Sequence, residues 1–145
     1  MNKINKKVKA VIIVIGNEIL SGRTQESNVA FLSKWLNDLG VRVEEVRVIA
    51  DVQAVIVKCI NEVRKKFKYV FTTGGIGPTH DDITSRSIAK AFRLSYRYNK
   101  EAYAILEKYY KPGEFNDGRK KMAKMPDKAS LIYNPSSGAP GFIVG

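Results

Sequence analysis

Val70-Phe71-Thr72-Thr73-Gly74-Gly75-Ile76-Gly77-Pro78-Thr79-His80-Asp81-Asp82-Ile83-Thr84 is the stretch around which the chain is organised. Its first residues are β-branched and aromatic and read as the end of a buried strand. Three glycines and a proline then break regular structure. The polar run from Thr79 to Ser85 opens a helical pattern, with Asp or Thr in the capping position. A strand, a glycine turn and a capped helix together make a cradle for an anion. Glycines let backbone N–H groups approach closely, and the helix N-terminus adds partial positive charge. Two adjacent carboxylates would repel a bare phosphate there, but they suit a hard cation such as Mg2+ held between carboxylate and phosphate.

Upstream, Val8 to Ile15 is a continuous apolar run, the type that lies at the centre of a parallel sheet. Gly16-Asn17-Glu18 ends it, and a polar, glycine-bearing connection follows. Ser27 or Asn28 can cap the next helix, which carries Phe31, Leu32, Trp35, Leu36 and Leu39 on one face, so Trp35 is expected in the core. After Gly40, Val41 to Ile49 alternates apolar and charged residues and reads as a half-buried strand near a sheet edge. Asp51 is expected to cap a second helix whose apolar series is Val52, Val55, Ile56, Cys59, Ile60 and Val63. Cys59 reads as a core residue, since no acid–base partner accompanies it. The order βαβαβ, with right-handed crossovers, predicts an α/β fold with a parallel sheet and helices on both faces.

Downstream, helices are expected over residues 84–92, 100–110 and 116–125. Two strands are expected over 130–133 and 141–144, separated by the turn-rich loop Asn134 to Pro140. Residues 1–145 read as one domain. The sequence stops on Gly145 directly after an apolar strand, which leads us to expect a domain that is incomplete at its C-terminal side.

No apolar run approaches the ~20 residues of a membrane helix. The lysine-rich start at residues 1–7 precedes a short apolar run that ends without a cleavage pattern, so it is read as the lead-in to a strand. One cysteine excludes an intrachain disulfide and a cysteine-based zinc site, and cytoplasm is the expected compartment. The net charge of +11 raises the question of a nucleic-acid partner. Lys and Arg are scattered in ones and twos without interleaved aromatics, which favours a solvated surface over nucleic-acid binding.

The glycine turn is not a P-loop, since no Gly-Lys-Ser/Thr follows it, and its spacing is not that of a dinucleotide fingerprint. The strand ends add more. In an open parallel sheet, ligands bind outside the carboxyl ends of the strands. Here those ends lead to Asn17-Glu18, to Asp51, and to Thr73 with Asp81-Asp82. Brought together, they would give a mouth of up to four carboxylates beside a glycine cradle, suited to metal-assisted chemistry on a phosphate ester or anhydride. The plain alternative makes Asp51 and Asp82 helix N-caps, each worth about 1 kcal/mol. His80, the single histidine, has no evident nucleophile to serve and reads as a rim residue.

The segments Gly16 to Gly22, Thr24 to Asn28 and Thr72 to Thr84 resemble the molybdopterin-binding domain family, which includes the MogA and MoaB proteins, the gephyrin G and E domains and the N-terminal domain of CinA. Met125-Pro126, Asn134-Pro135 and Gly138-Ala139-Pro140-Gly141-Phe142 are similar to the CinA branch. The resemblance implies a three-layer αβα sandwich around a mostly parallel sheet. It implies a pocket for molybdopterin or an adenine nucleotide such as ATP, worked with Mg2+. In the cofactor-making members the chemistry is adenylylation of the pterin phosphate or insertion of molybdate. In the CinA branch it is hydrolysis of the pyrophosphate of ADP-ribose. The family's paired acidic residues fall on Asp51 and Asp82, the candidate catalytic and metal-holding residues. Its glycine turn falls on Gly74, Gly75 and Gly77. Thr73, Thr84 and Ser27 are the candidate hydroxyl contacts, Asn28 an amide contact, and Glu18 a further ligand contact. Asn17 stands where CinA-like sequences often carry Asp, which weakens a metal role at that position. The resemblance also implies self-association as a dimer or trimer. A non-catalytic binding module that keeps the fold is the third reading.

Overall fold

The computed structural model describes residues 8–145. The lysine-rich start at 1–7 lies outside the described residues. Strand β1 (Val8–Ile15) is followed by a short helix α1 (Asn17–Leu20) and helix α2 (Asn28–Asp38). Then come β2 (Val41–Ile49), α3 (Gln53–Val63), β3 (Tyr69–Thr73) and α4 (Thr84–Ala91). The three strands form a parallel sheet in the order β2-β1-β3. β1 is central, as its unbroken apolar run requires, and β2 lies at an edge, as its alternation does.

The pleat sends alternate residues of β1 to opposite faces. Val11, Ile13 and Ile15 pack with Ile56, Cys59, Ile60 and Val63 of α3 and with Ile88 and Ala91 of α4. Ala10, Ile12 and Val14 are equally buried on the other side, where α2 packs against β2. Each fully buried Ile or Val contributes about 1.5–3 kcal/mol relative to exposure, so β1 and α3 carry the main core. Cys59 sits inside it, and burial pushes its thiol upward from the ordinary range, as befits an unreactive core thiol.

The register of the sheet fixes where its loops emerge. Ile15 pairs with Ile49, and Val14 with Thr73. The carboxyl ends of all three strands therefore lie level, and the segments beginning at Gly16, Ala50 and Gly74 leave the sheet side by side.

The rest of the chain builds a second lobe: β4 (Tyr96–Tyr98), α5 (Lys100–Tyr109), α6 (Asp117–Lys121), β5 (Lys124–Pro126), β6 (Ser130–Ile132) and β7 (Gly141–Ile143). β4 pairs with β5 and β6 with β7, both antiparallel. Ala102, Leu106, Met122, Ala123 and Met125 form its core, and Phe142 packs against both cores, joining the lobes.

Several expectations change. The polar connection after β1 begins with a helical turn, α1. The helix expected over 116–125 stops at Lys121, because residues 124–126 pair as β5 with a strand, β4, that the sequence pattern did not reveal. The Asp51 cap is displaced: α3 starts at Gln53 with Val52 at its N-cap and no side-chain cap bond. Trp35 is not in the core. It is 51% exposed, with Phe31 and Leu39 more so, and within α2 only Leu36 is buried. Helical spacing shows that a stripe is apolar but not that it is covered. Because α2 lies over the edge strand, only part of its stripe finds cover. Among the described residues, no helix is long and apolar enough to cross a membrane.

Candidate functional site

The level strand ends open into a cavity of about 290 Å3 lined by Ile15, Gly16, Asn17, Glu18, Arg23, Asp51, Gly75, Thr79, Asp81 and Asp82. Each wall comes from a different strand end: α1 and the loop after it, the start of the α3 segment, and the glycine turn after β3. Four of the lining side chains are carboxylates, and Arg23 is the one cation among them. Arg23 forms no ion pair among the described residues, and its Nε donates to Ser21 Oγ at 3.2 Å.

Neither aspartate is occupied as a helix cap. The side chain of Asp51 bonds no backbone N–H of α3. At α4 the N-cap is Ile83, again without a side-chain bond. Asp82 instead organises its own turn: Thr79 N–H and Thr79 Oγ1 both donate to its Oδ2, at 2.9 and 2.8 Å, and its N–H donates to Thr79 O at 3.2 Å. Both bonds from Thr79 fall on one oxygen, which aims the carboxylate while Oδ1 accepts no protein donor among the described residues. Among those residues no three acidic, histidine or cysteine side chains converge to enclose a metal ion by themselves. Mg2+, by contrast, usually takes only one or two carboxylates and completes its shell with water and substrate phosphate.

The glycine turn is built by sterics. Gly74 has φ +92°, and a Cβ there would lie 2.1 Å from Ile15 O, so the turn lies directly against the end of β1. Gly75 has φ +72°, and its missing Cβ leaves the notch taken by Thr84 Oγ1, 2.1 Å away. Thr84 is fully buried; its hydroxyl donates to Gly74 O at 2.8 Å and its N–H to Gly75 O at 3.0 Å. Its hydroxyl thus serves the turn, and Thr84 is not among the residues lining the cavity.

Of the expected site residues, Glu18, Asp51, Gly75 and Asp82 share the cavity. Gly77 lies beside it, where a Cβ would stand 2.8 Å from Asp82 Oδ2. Thr73, Gly74, Thr84, Ser27 and Asn28 do not line it. Ser27 is the N-cap of α2 but makes no side-chain cap bond; Glu26 takes that work, accepting from Asn28 N–H at 2.7 Å and Val29 N–H at 3.1 Å. His80 stands exposed at the rim, its Nε2 3.2 Å from Asp81 Oδ1.

Two more residues enter: Arg23, which the sequence pattern did not single out, and Lys121, one of the basic residues of the expected 116–125 helix that could line a site or face water. Arg23 lines the cavity from the connection after α1. Lys121 reaches the turn from α6, where its Nζ donates to Thr79 O. Burial pulls the Lys121 ammonium below the ordinary lysine range, while Asp82 and Asp81 act in the opposite direction. The only signal for Arg23 was a basic residue next to a glycine-bearing polar segment, which is too common to select on.

Comparison with known proteins agrees with this architecture. Residues 11–145 match the family model described as a probable molybdopterin binding domain. A protein of Sulfolobus acidocaldarius is 40% identical over 138 residues, covering 93% of this chain and 52% of that protein. The chain spans about half the length of the curated relatives it matches. The crystal structure of the CinA protein of Thermoplasma acidophilum, described there as of unknown function, superposes with a TM-score of 0.87 at 35% identity, over 92% of this chain and 79% of that one. The tungsten cofactor synthesizing protein MoaB of Pyrococcus furiosus shares the fold, with a TM-score of 0.56 at 18% identity over 94% of this chain and 81% of that one.

Proposed function

This chain belongs to the molybdopterin-binding domain family, and we propose that its cavity holds a phosphorylated pterin or an adenine nucleotide together with Mg2+. One observation carries the proposal: Glu18, Asp51, Asp81 and Asp82 face the same cavity as the glycine turn. Such a mouth repels a bare phosphate and accepts one that arrives with a divalent cation. Asp51 and Asp82 are the residues that would hold it, and the cation would supply charge neutralisation at the phosphate oxygens. Gly75 brings backbone close to the phosphate. Thr79 keeps the Asp82 carboxylate aimed. Arg23, which also lines the cavity, meets a second anionic group of the ligand.

In this reading the reaction is nucleotidyl transfer to the pterin phosphate. A second reading, hydrolysis of the ADP-ribose pyrophosphate, follows the resemblance to the CinA branch; the CinA protein that superposes over 92% of the chain is itself described as of unknown function. Water adds at one phosphorus and the bridging P–O bond breaks, giving AMP and ribose 5-phosphate. Self-association as a dimer or trimer is part of the proposal and is checked by sedimentation. The deciding experiment incubates the protein with Mg2+ and ADP-ribose in one arm, and with Mg-ATP and molybdopterin in the other. AMP from ADP-ribose supports the pyrophosphatase, and adenylylated pterin supports the transferase. Silence in both arms overturns catalysis and leaves a binding module.

A further inference from the structure

We propose that Lys121 is a positioning residue for the site: through Thr79 it holds the turn that aims the Asp82 carboxylate into the cavity. The inference rests on the reading of Asp82 as the cation-holding carboxylate.

The polar atoms of Thr79 are all engaged. Its N–H and Oγ1 both go to Asp82 Oδ2. Its carbonyl takes Lys121 Nζ, 42 residues away in sequence. Thr79 is therefore a hydrogen-bonded link between the Asp82 carboxylate and the second lobe. A separate contact supports the same junction. A Cβ on Gly118 would lie 3.0 Å from Pro78 O, so α6 lies against the turn one residue before Thr79. Helix α6 is itself fixed by the Asn116 side chain, whose Oδ1 accepts from Arg119 N–H at 3.0 Å. Gly77, Pro78 and Thr79 otherwise form a loop with little regular structure. A charged donor on its carbonyl is the strong kind of hydrogen bond. Lys121 also brings positive charge toward Asp81 and Asp82, which offsets their mutual repulsion when no cation is present. The second lobe thus becomes part of the site without lining its floor.

The test compares Lys121→Met, Lys121→Arg and the parent chain by amide hydrogen exchange and by turnover of ADP-ribose with Mg2+. In Lys121→Met the amides of Thr79 and Asp82 exchange faster by on the order of tenfold, while those of β1 are unchanged. Lys121→Arg restores protection. In turnover at saturating Mg2+, Lys121→Met lowers kcat and Lys121→Arg recovers it. Unchanged exchange at Thr79 and Asp82 in Lys121→Met overturns the proposal. If β1 protection falls too, Gly118→Ala replaces it, since its methyl pushes α6 from Pro78; unchanged Thr79 exchange there also overturns it. A parent chain that turns over no ADP-ribose counts against the pyrophosphatase reading, and the exchange data still decide the role of Lys121.

Discussion

Replacing Thr84 by Val tests how the glycine turn is held. A methyl replaces the hydroxyl at nearly the same volume, so the loss is of the polar group and not of packing. What disappears is the 2.8 Å bond to Gly74 O. Thr84 is fully buried but Gly74 is exposed, so water partly replaces the lost donor. The net loss of such a hydrogen bond costs about 0.5–1.5 kcal/mol. In a chain of this size each kcal/mol lowers the melting temperature by about 2–4 °C. The expected drop is therefore about 1–6 °C, read by calorimetry without any ligand. The same hydroxyl was expected from the sequence to contact the ligand, and the two roles separate cleanly. A hydroxyl used for the ligand would leave the unliganded melting temperature unchanged and cost only affinity. An unchanged melting temperature in Thr84→Val would refute the structural role assigned here.

Further outcomes follow from the same geometry. Asp82→Asn keeps the acceptor for Thr79 and so keeps the fold, but it lowers Mg2+-dependent turnover by on the order of a hundredfold, in the range of a lost electrostatic contact; steady-state kinetics with calorimetry as the fold control checks both halves. Gly75→Ala meets Thr84 Oγ1 and a positive φ together, and should cost at least about 1–3 kcal/mol by chemical denaturation. The Arg47 guanidinium, 2.7 Å from Glu62, holds the Glu62 carboxyl below its ordinary 4.5. A depressed folded-state value contributes stability above the unfolded one and loses it as pH falls through the folded one. The stability gap between the parent chain and Glu62→Gln is thus present at neutral pH and closes below about 4.5, as thermal scans across that range would record.

The central architecture was legible because β1 must be apolar on both faces to sit between two parallel neighbours, and Val8 to Ile15 is. The alternation of β2 likewise announced an edge. From these, a mouth at the strand ends followed, and Glu18, Asp51, Gly75 and Asp82 do meet there. What stayed hidden depends on tertiary contacts. Thr84 looked like a ligand hydroxyl because its burial against Gly74 is set by two left-handed glycines, whose φ values no residue pattern prints. Trp35 looked like core because spacing alone cannot tell a covered stripe from an open one. Lys121 comes to the site from another lobe, across 42 residues. β4 and β5 are three-residue strands that pair only with each other, too short for alternation to register.

The most direct measurement is a calorimetric titration of Mg-ATP into the parent chain and into the Asp51→Asn, Asp82→Asn double variant, both verified as folded by their melting curves. The carboxylate cavity predicts binding to the parent chain that depends on Mg2+ and is lost in the double variant. Equal affinity of the two proteins for Mg-ATP would contradict the assignment of that cavity to a cation-bridged phosphate.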